Sequence, residues 1–335
     1  MSVAPTDAAR RGPGILATVR RLQAHYPLAQ IVALVVLFGY GAVTLDGFAS
    51  RRSIYSMLVL AALLGMATAG QTLCVLVGGI DFSIAAWIGM GAIVLVQLNG
   101  SRGWSFGATL ALIAALAIVG GGTVGFICHR WRIDPLIITL AMGAIVNGAL
   151  LVWAKGFITG TPPTWLQTLT SPASKTFGID FPPLVAVWAV FAIVIAVFLQ
   201  RTPPGRRLYA TGANMRAAEM SLVRTRLVWM GVFAFSALVA AVTGILLGGF
   251  AGAADASLGT NYLWQGLTAV IVGGTAFGAR GDYWRTVLGC LLLIVLGTLM
   301  IGNGYDTADQ QILYGVLLFV VVFFYGRDRR VADRV

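Results

Sequence analysis

The chain has 335 residues, 58% of them hydrophobic and only 10% charged, and a formal net charge of +11. A soluble domain carries about 25% charged residues, so this composition excludes an ordinary soluble protein and marks an integral membrane protein. Apolar runs of about 17 to 25 residues indicate helical spans rather than barrel strands of about ten, and the positive balance is ascribed to loops on one side of a lipid bilayer rather than to nucleic acid binding.

The first 27 residues are polar and carry Arg10, Arg11, Arg20 and Arg21. No small-residue cleavage site precedes the first apolar run, so the expectation is an uncleaved first span behind a cytoplasmic arm, residues 1–27. Ten spans are expected, at roughly 28–45, 57–77, 83–99, 107–128, 135–154, 183–200, 227–248, 262–277, 285–301 and 310–325. The chain therefore reads as an all-α polytopic membrane protein with its membrane domain at 28–325 and a tail at 326–335. With the amino terminus inside, both ends are cytoplasmic. Eighteen basic residues then lie inside and five outside, as the positive-inside rule requires. Arg51 and Arg52 fit this worst, and a short interfacial helix after the first span would hold them.

Between the second and third spans stands Val77-Gly78-Gly79-Ile80-Asp81-Phe82-Ser83. An aspartate at membrane depth is costly and marks a functional position by default. The alternative is structural: Gly78 and Gly79 end one helix, and Asp81 or Ser83 caps the next. Both readings put Asp81 near an interior surface, because broken helices are tolerated only there. The outer segment 156–182 is rich in Pro, Thr and Ser and reads as irregular structure, either a plain connector or a surface for an external partner.

The segment 201–226 holds six arginines against Glu219. Pro203, Pro204 and Gly205 break the preceding run. A short helical phrase runs from Asn214, a candidate N-cap, to Leu222, with Met215, Ala218 and Leu222 on one face. It reads either as a solvated arginine loop or as a docking helix for a soluble partner. Further on, Val272-Gly273-Gly274-Thr275-Ala276-Phe277 echoes the first glycine phrase: VLVGGIDF (75–82) and VIVGGTAF (270–277) read as two similar helix ends.

Gln71, Thr72, Gln97, Asn147, Thr268 and Thr298 lie inside spans, where hydrogen bonds across helix interfaces are the commoner role. Gly120-Gly121-Gly122 permits close helix approach. Cys74, Cys128 and Cys290 show no metal or disulfide spacing. No phosphate-cradling GxxxxGK[ST], HExxH or GxSxG is present, so no catalytic or metal-binding residue is assigned.

From about residue 48 to 325 the chain resembles the permease subunits of bacterial ATP-binding-cassette (ABC) sugar importers of the ribose/xylose/arabinose type. The resemblance rests on GGIDFS (78–83), DPLIITLAM (134–142), GRRLYATGANMRAAEMS (205–221), and AVIVGGT (269–275) followed by GARG (278–281). It implies a type II-like importer permease fold. It also implies docking of separate ATPase subunits, carrying ATP and Mg, on a cytoplasmic coupling helix. An external binding protein would deliver a monosaccharide, and a second permease chain, identical or different, would complete the pore. This chain itself would carry no cofactor and sit in the bacterial inner membrane. Carried over residue by residue, the coupling positions are Gly205, Arg206, Tyr209, Gly212, Asn214, Ala217, Ala218 and Ser221. The pathway or broken-helix positions are Gly78, Gly79, Asp81, Ser83, Asn147, Gly273, Gly274 and Thr275.

The sequence departs from the pattern at Leu222, where the family commonly has glycine, at Asn147-Gly148, and after Thr275. The alternatives are a branched-chain amino acid permease of the same general kind and an ion-coupled secondary carrier. Against the latter, Asp81 is nearly alone among ionisable groups inside the spans.

Overall fold

The computed structural model describes residues 27–155, 158–278 and 281–332. The expected arm at 1–27, apart from Pro27, lies outside the described residues, as do Ala279 and Arg280 of the GARG phrase. Each of the ten apolar runs is a helix. They are α1 (Leu28–Thr44), α2 (Arg51–Val77), α3 (Ile84–Leu95, extended by a π-helical stretch Val96–Ser101), α4 (Phe106–Trp131), α5 (Pro135–Ala154), α7 (Pro183–Arg201), α10 (Thr225–Ala251), α11 (Thr260–Gly273), α12 (Tyr283–Gly302) and α13 (Thr307–Ala332). Three short helices complete the set: α6 (Thr164–Thr170), α8 (Pro203–Ala213) and α9 (Met215–Met220). Among the described residues the only non-helical pairing is an isolated bridge between Thr176 and Ile179.

Seven helices, namely α2, α3 with its extension, α4, α5, α7, α10 and α12, are long and apolar enough to cross a bilayer. Their starts reflect local chemistry. The Ser50 hydroxyl accepts from Ser53 N, Ser105 from Ala108 N and Asp282 from Arg285 N, each satisfying a free first-turn amide. Asp134 accepts from Leu136 N, with Pro135 opening α5 where its missing N–H costs nothing. Arg51 and Arg52 form the first turn of α2 rather than a separate interfacial helix.

The centre of the bundle is α10, packed mainly against α4, α3 and α2. The most apolar stretch of α2 is 89% buried inside the chain, whereas that of α5 is 17% buried, so α5 lies at the rim. Of the Gly120–Gly122 triplet, Gly121 makes the close approach, since a methyl group there would fall 2.3 Å from the Phe233 carbonyl oxygen of α10.

The segment 156–182 is not a plain irregular connector. It contains α6, whose Leu166 is buried against Gly249 of α10. It then forms a tight turn closed by Thr176 N to Ile179 O and Ile179 N to Thr176 O, at 3.0 and 2.9 Å. Asp180 beside that turn pairs with Lys175 at 2.9 Å and with Arg51 at 3.3 Å. The Lys175 ammonium first, and Arg51 after it, hold the Asp180 carboxyl below the usual carboxylate range. The composition of the segment hides this order because its buried residues are few and widely spaced.

Candidate functional site

The basic segment folds as two helices joined at one residue. Proline ends α7 as expected but also begins α8, with Thr202 as N-cap accepting from Gly205 N at 3.3 Å. Gly205 permits the tight turn, because a methyl group there would fall 2.3 Å from the Leu199 carbonyl oxygen. Asn214 ends α8 and caps α9, its Oδ1 accepting from Ala217 N at 3.0 Å, as the sequence suggests.

Two contacts fasten α8 to the ends of other helices. At Gly212 the backbone lies directly on α2: a methyl group would fall 1.9 Å from the Leu76 carbonyl oxygen. Tyr209 donates its hydroxyl to the Gly281 carbonyl at 2.9 Å, just before α12. Burial pushes the Tyr209 phenol up to about 12, so it keeps its proton and donates at any neutral pH.

In the last turn of α9 the Glu219 carboxylate accepts from the Thr225 hydroxyl at 2.9 Å, and that hydroxyl lies 2.9 Å from His129 Nε2. The last turn of α4, helix α9 and the first turn of α10 are thereby tied together. Sequence reading misses this relay because His129 and Glu219 are far apart in the chain and His129 belongs to none of the quoted phrases. A groove of about 450 Å³ opens beside it, lined by Arg132, Asp134, Met215, Arg216, Glu219 and Trp229 among others.

The expected docking face does not form. Ala218 is 4% exposed and turned into its own chain. Leu222 lies beyond the helix, which ends at Met220, so Met215, Ala218 and Leu222 share no outer face. The outward residues are Arg216, Ala217, Glu219, Met220 and Ser221, and on α8 Arg206 is exposed.

At the first glycine phrase, α2 ends on Gly78 at φ 99°, with Gly79 N bonding to Cys74 O at 2.8 Å. The chain then turns back into the bundle. Gly79 lies against Pro135, and Ser83 lies against Gly143 of α5. Eight residues separate those two along α5, about 12 Å of rise, so Asp81 and Ser83 sit well inside. Asp81 Oδ1 accepts from Ser83 N at 2.9 Å and from Ser83 Oγ at 2.5 Å, and Ser83 Oγ accepts from Trp87 Nε1 at 3.1 Å. Asp81 N donates to Gln71 Oε1 at 3.3 Å. Asp81 thus orders the turn before α3, and Ser83 at the cap position makes no side-chain capping bond. Asp81 is 1% exposed. Among the described residues, Asp81 Oδ2, Gln71 Nε2 and Ser236 Oγ are buried without a hydrogen-bond partner. Asn147, a turn beyond Gly143 on α5, is half-buried, and no hydrogen bond joins it to Asp81 among the described residues; its Oδ1 is buried without a partner.

At the second phrase the helix stops at Gly273, short of the expected 277, because Gly274 adopts φ 103°. Thr275 donates to the Asp282 carbonyl at 3.1 Å, and a methyl group on Gly273 would fall 2.2 Å from the Arg285 carbonyl oxygen. The two phrases end helices at the same end of the molecule, the one carrying α8, and Val75, Ile80 and Phe82 of the first share an apolar cluster with Val270, Ile271 and Phe277 of the second.

A bundle of this kind, with apolar spans, a broken helix and a strapped basic segment, defines a polytopic membrane protein. Residues 53–322 match the family described as "branched-chain amino acid transport system / permease component", and the chain belongs to that family of multi-pass transport permeases. Among curated relatives, the ribose import permease protein RbsC of Escherichia coli K12 is 26% identical over 299 residues, covering 87% of this chain and 91% of its own. The fructose import permease protein FrcC of Rhizobium meliloti is 28% identical over 315 residues, covering 90% and 85%. The autoinducer 2 import system permease protein LsrC of Salmonella paratyphi B is 26% identical over 318 residues, covering 93% and 89%.

Proposed function

We propose that this chain is the membrane-spanning subunit of an ATP-driven importer that moves a monosaccharide or similar polyol inward. It sits in a bacterial inner membrane with both termini in the cytoplasm. ATP and Mg are bound by separate ATPase subunits docked on residues 205–221, an external binding protein delivers the substrate, and a second permease chain completes the pathway. Alternating access results when the ATPases move α8 and α9. The observation that carries this reading is the double fastening of α8, through Gly212 to the end of α2 and through Tyr209 to the start of α12. A partner that shifts α8 reaches two spanning helices at once. The sugar class is supported by the ribose and fructose importers among the relatives. The family's own description favours a second reading, a branched-chain amino acid as substrate.

The test is uptake by proteoliposomes holding the complex recovered with the tagged chain. Labelled pentose or hexose should accumulate only with ATP, and collapsing ion gradients should leave uptake intact. Accumulation of leucine instead would select the second reading, and gradient-driven uptake without ATP would overturn both. Because Ala218 is buried, the docking helix is probed at exposed Ala217: Ala217→Glu should lower ATPase recovery several-fold while membrane insertion is unchanged.

A further inference from the structure

Helix α9 ends in a way that sets two large apolar side chains in water. Leu222 N bonds to Glu219 O at 2.9 Å and Val223 N to Ala218 O at 3.0 Å, the paired bonds of a left-handed helix end. Leu222 occupies the left-handed position, at φ 60°. Glycine fits there without penalty, whereas a side chain crowds the next carbonyl. No contact among the described residues repays that crowding, because Leu222 is 92% exposed and Met220 beside it is 86% exposed.

Neither residue belongs to a spanning helix, so lipid tails do not explain the exposure. Arg216, Arg224 and Arg226 each lie within four residues of one of the pair along the chain, all exposed and none ion-paired among the described residues, and Glu219 is the one acid beside them. It hangs three residues from Thr225, the start of α10, and so lies under the centre of the bundle rather than at its lipid rim. An apolar tip, flanked along the chain by arginines and set at the foot of the central helix α10, matches a soluble partner with an apolar pocket edged by carboxylates.

We propose that Leu222, with Met220, is the residue by which this permease selects its own ATPase subunit, inserting into such a pocket on the ATPase. This rests on the importer reading above. The strain at Leu222 is then tolerated for recognition, and α9 alone is not the whole contact.

The test separates fold from recognition. The tagged full-length chain is pulled from native membranes in mild detergent, as wild type, Leu222→Gly and Leu222→Met, and co-eluting ATPase bearing a phosphate-loop motif is quantified by mass spectrometry. Melting of each variant is measured alongside. Leu222→Gly removes the crowding, so it should melt at or above the wild-type temperature and yet recover about tenfold less ATPase, a loss fitting removal of one buried leucine contact. Leu222→Met should restore most of the recovery. Full ATPase recovery with Leu222→Gly overturns the proposal and leaves the importer reading standing. A wild-type chain that brings down no ATPase overturns the importer reading and the proposal together. If Leu222→Gly instead loses only its retention on vesicles of anionic phospholipid, or only its self-association, the tip serves the membrane surface or a second copy, and the proposal fails.

Discussion

The two Gly-Gly phrases share five of eight residues, yet the structure uses them differently. In VLVGGIDF the first glycine, Gly78, takes the left-handed conformation. In VIVGGTAF it is the second, Gly274. Gly79 N returns to Cys74 O, and the equivalent bond in the other phrase runs from Thr275 N to Val270 O, so the structural equivalence is one residue out of step with the sequence match. The paths of the chain beyond the two helix ends diverge further. After Gly79 it climbs back into the bundle through Asp81, whereas after Gly274 it folds across to Asp282 and α12. The glycine permits a helix to end, and the next polar side chain decides where the chain goes.

Substitutions can break that comparison, and the largest effect falls at the glycine that is not left-handed. Gly273→Ala would drive a methyl group into the Arg285 backbone, which cannot rotate away, and should cost about 3 kcal/mol. The melting temperature in detergent should drop sharply, and a wild-type melt would disprove the close contact. Asp81→Ala comes next. It strips the acceptor from Ser83 N and Oγ in a buried site and should cost about 2 kcal/mol. Asp81→Asn keeps an acceptor oxygen there, so it should recover most of the loss. An Asp81→Asn variant that melts normally but does not transport would point instead to a role for the charge. The smallest pair sharpens the register. Gly78→Ala should cost about 1 kcal/mol through its left-handed backbone, and Gly79→Ala about 0.5 kcal/mol, since a methyl group there meets only side-chain atoms of Phe233 and Pro135, at 3.2 Å. The reverse order would mean that the sequence match, not the bond pattern, describes the helix end.

Much of the architecture is legible in the chain because lipid imposes long apolar runs. All ten helices fall where hydropathy puts them, with ends displaced mostly by caps such as Ser50 and Gly274 that a hydropathy window cannot see. Asn214 is readable as a cap because its chemistry is local. Helix α8 is harder, since Pro203-Pro204 signals a stop and a start equally and only contacts made elsewhere in the bundle decide. The face through Ala218 and Leu222 fails because helical spacing does not extend past the point where the backbone changes hand. The family's glycine at that position is the available clue, as it marks a left-handed residue. The tie between His129, Thr225 and Glu219 depends on three elements meeting in space, which no spacing along the chain encodes.

The contact of Gly212 with the end of α2 also bears on stiffness. Between most helices the side chains act as springs, because a rotamer change absorbs part of any displacement. At Gly212 no side chain intervenes, and backbone rests on the Leu76 carbonyl. A displacement of α8 toward that carbonyl by an ångström therefore reaches the last turn of α2 undiminished. The joint behaves as a strut in compression, while separation is resisted by the apolar cluster that Leu208 of α8 shares with Leu76 and Val77 of α2.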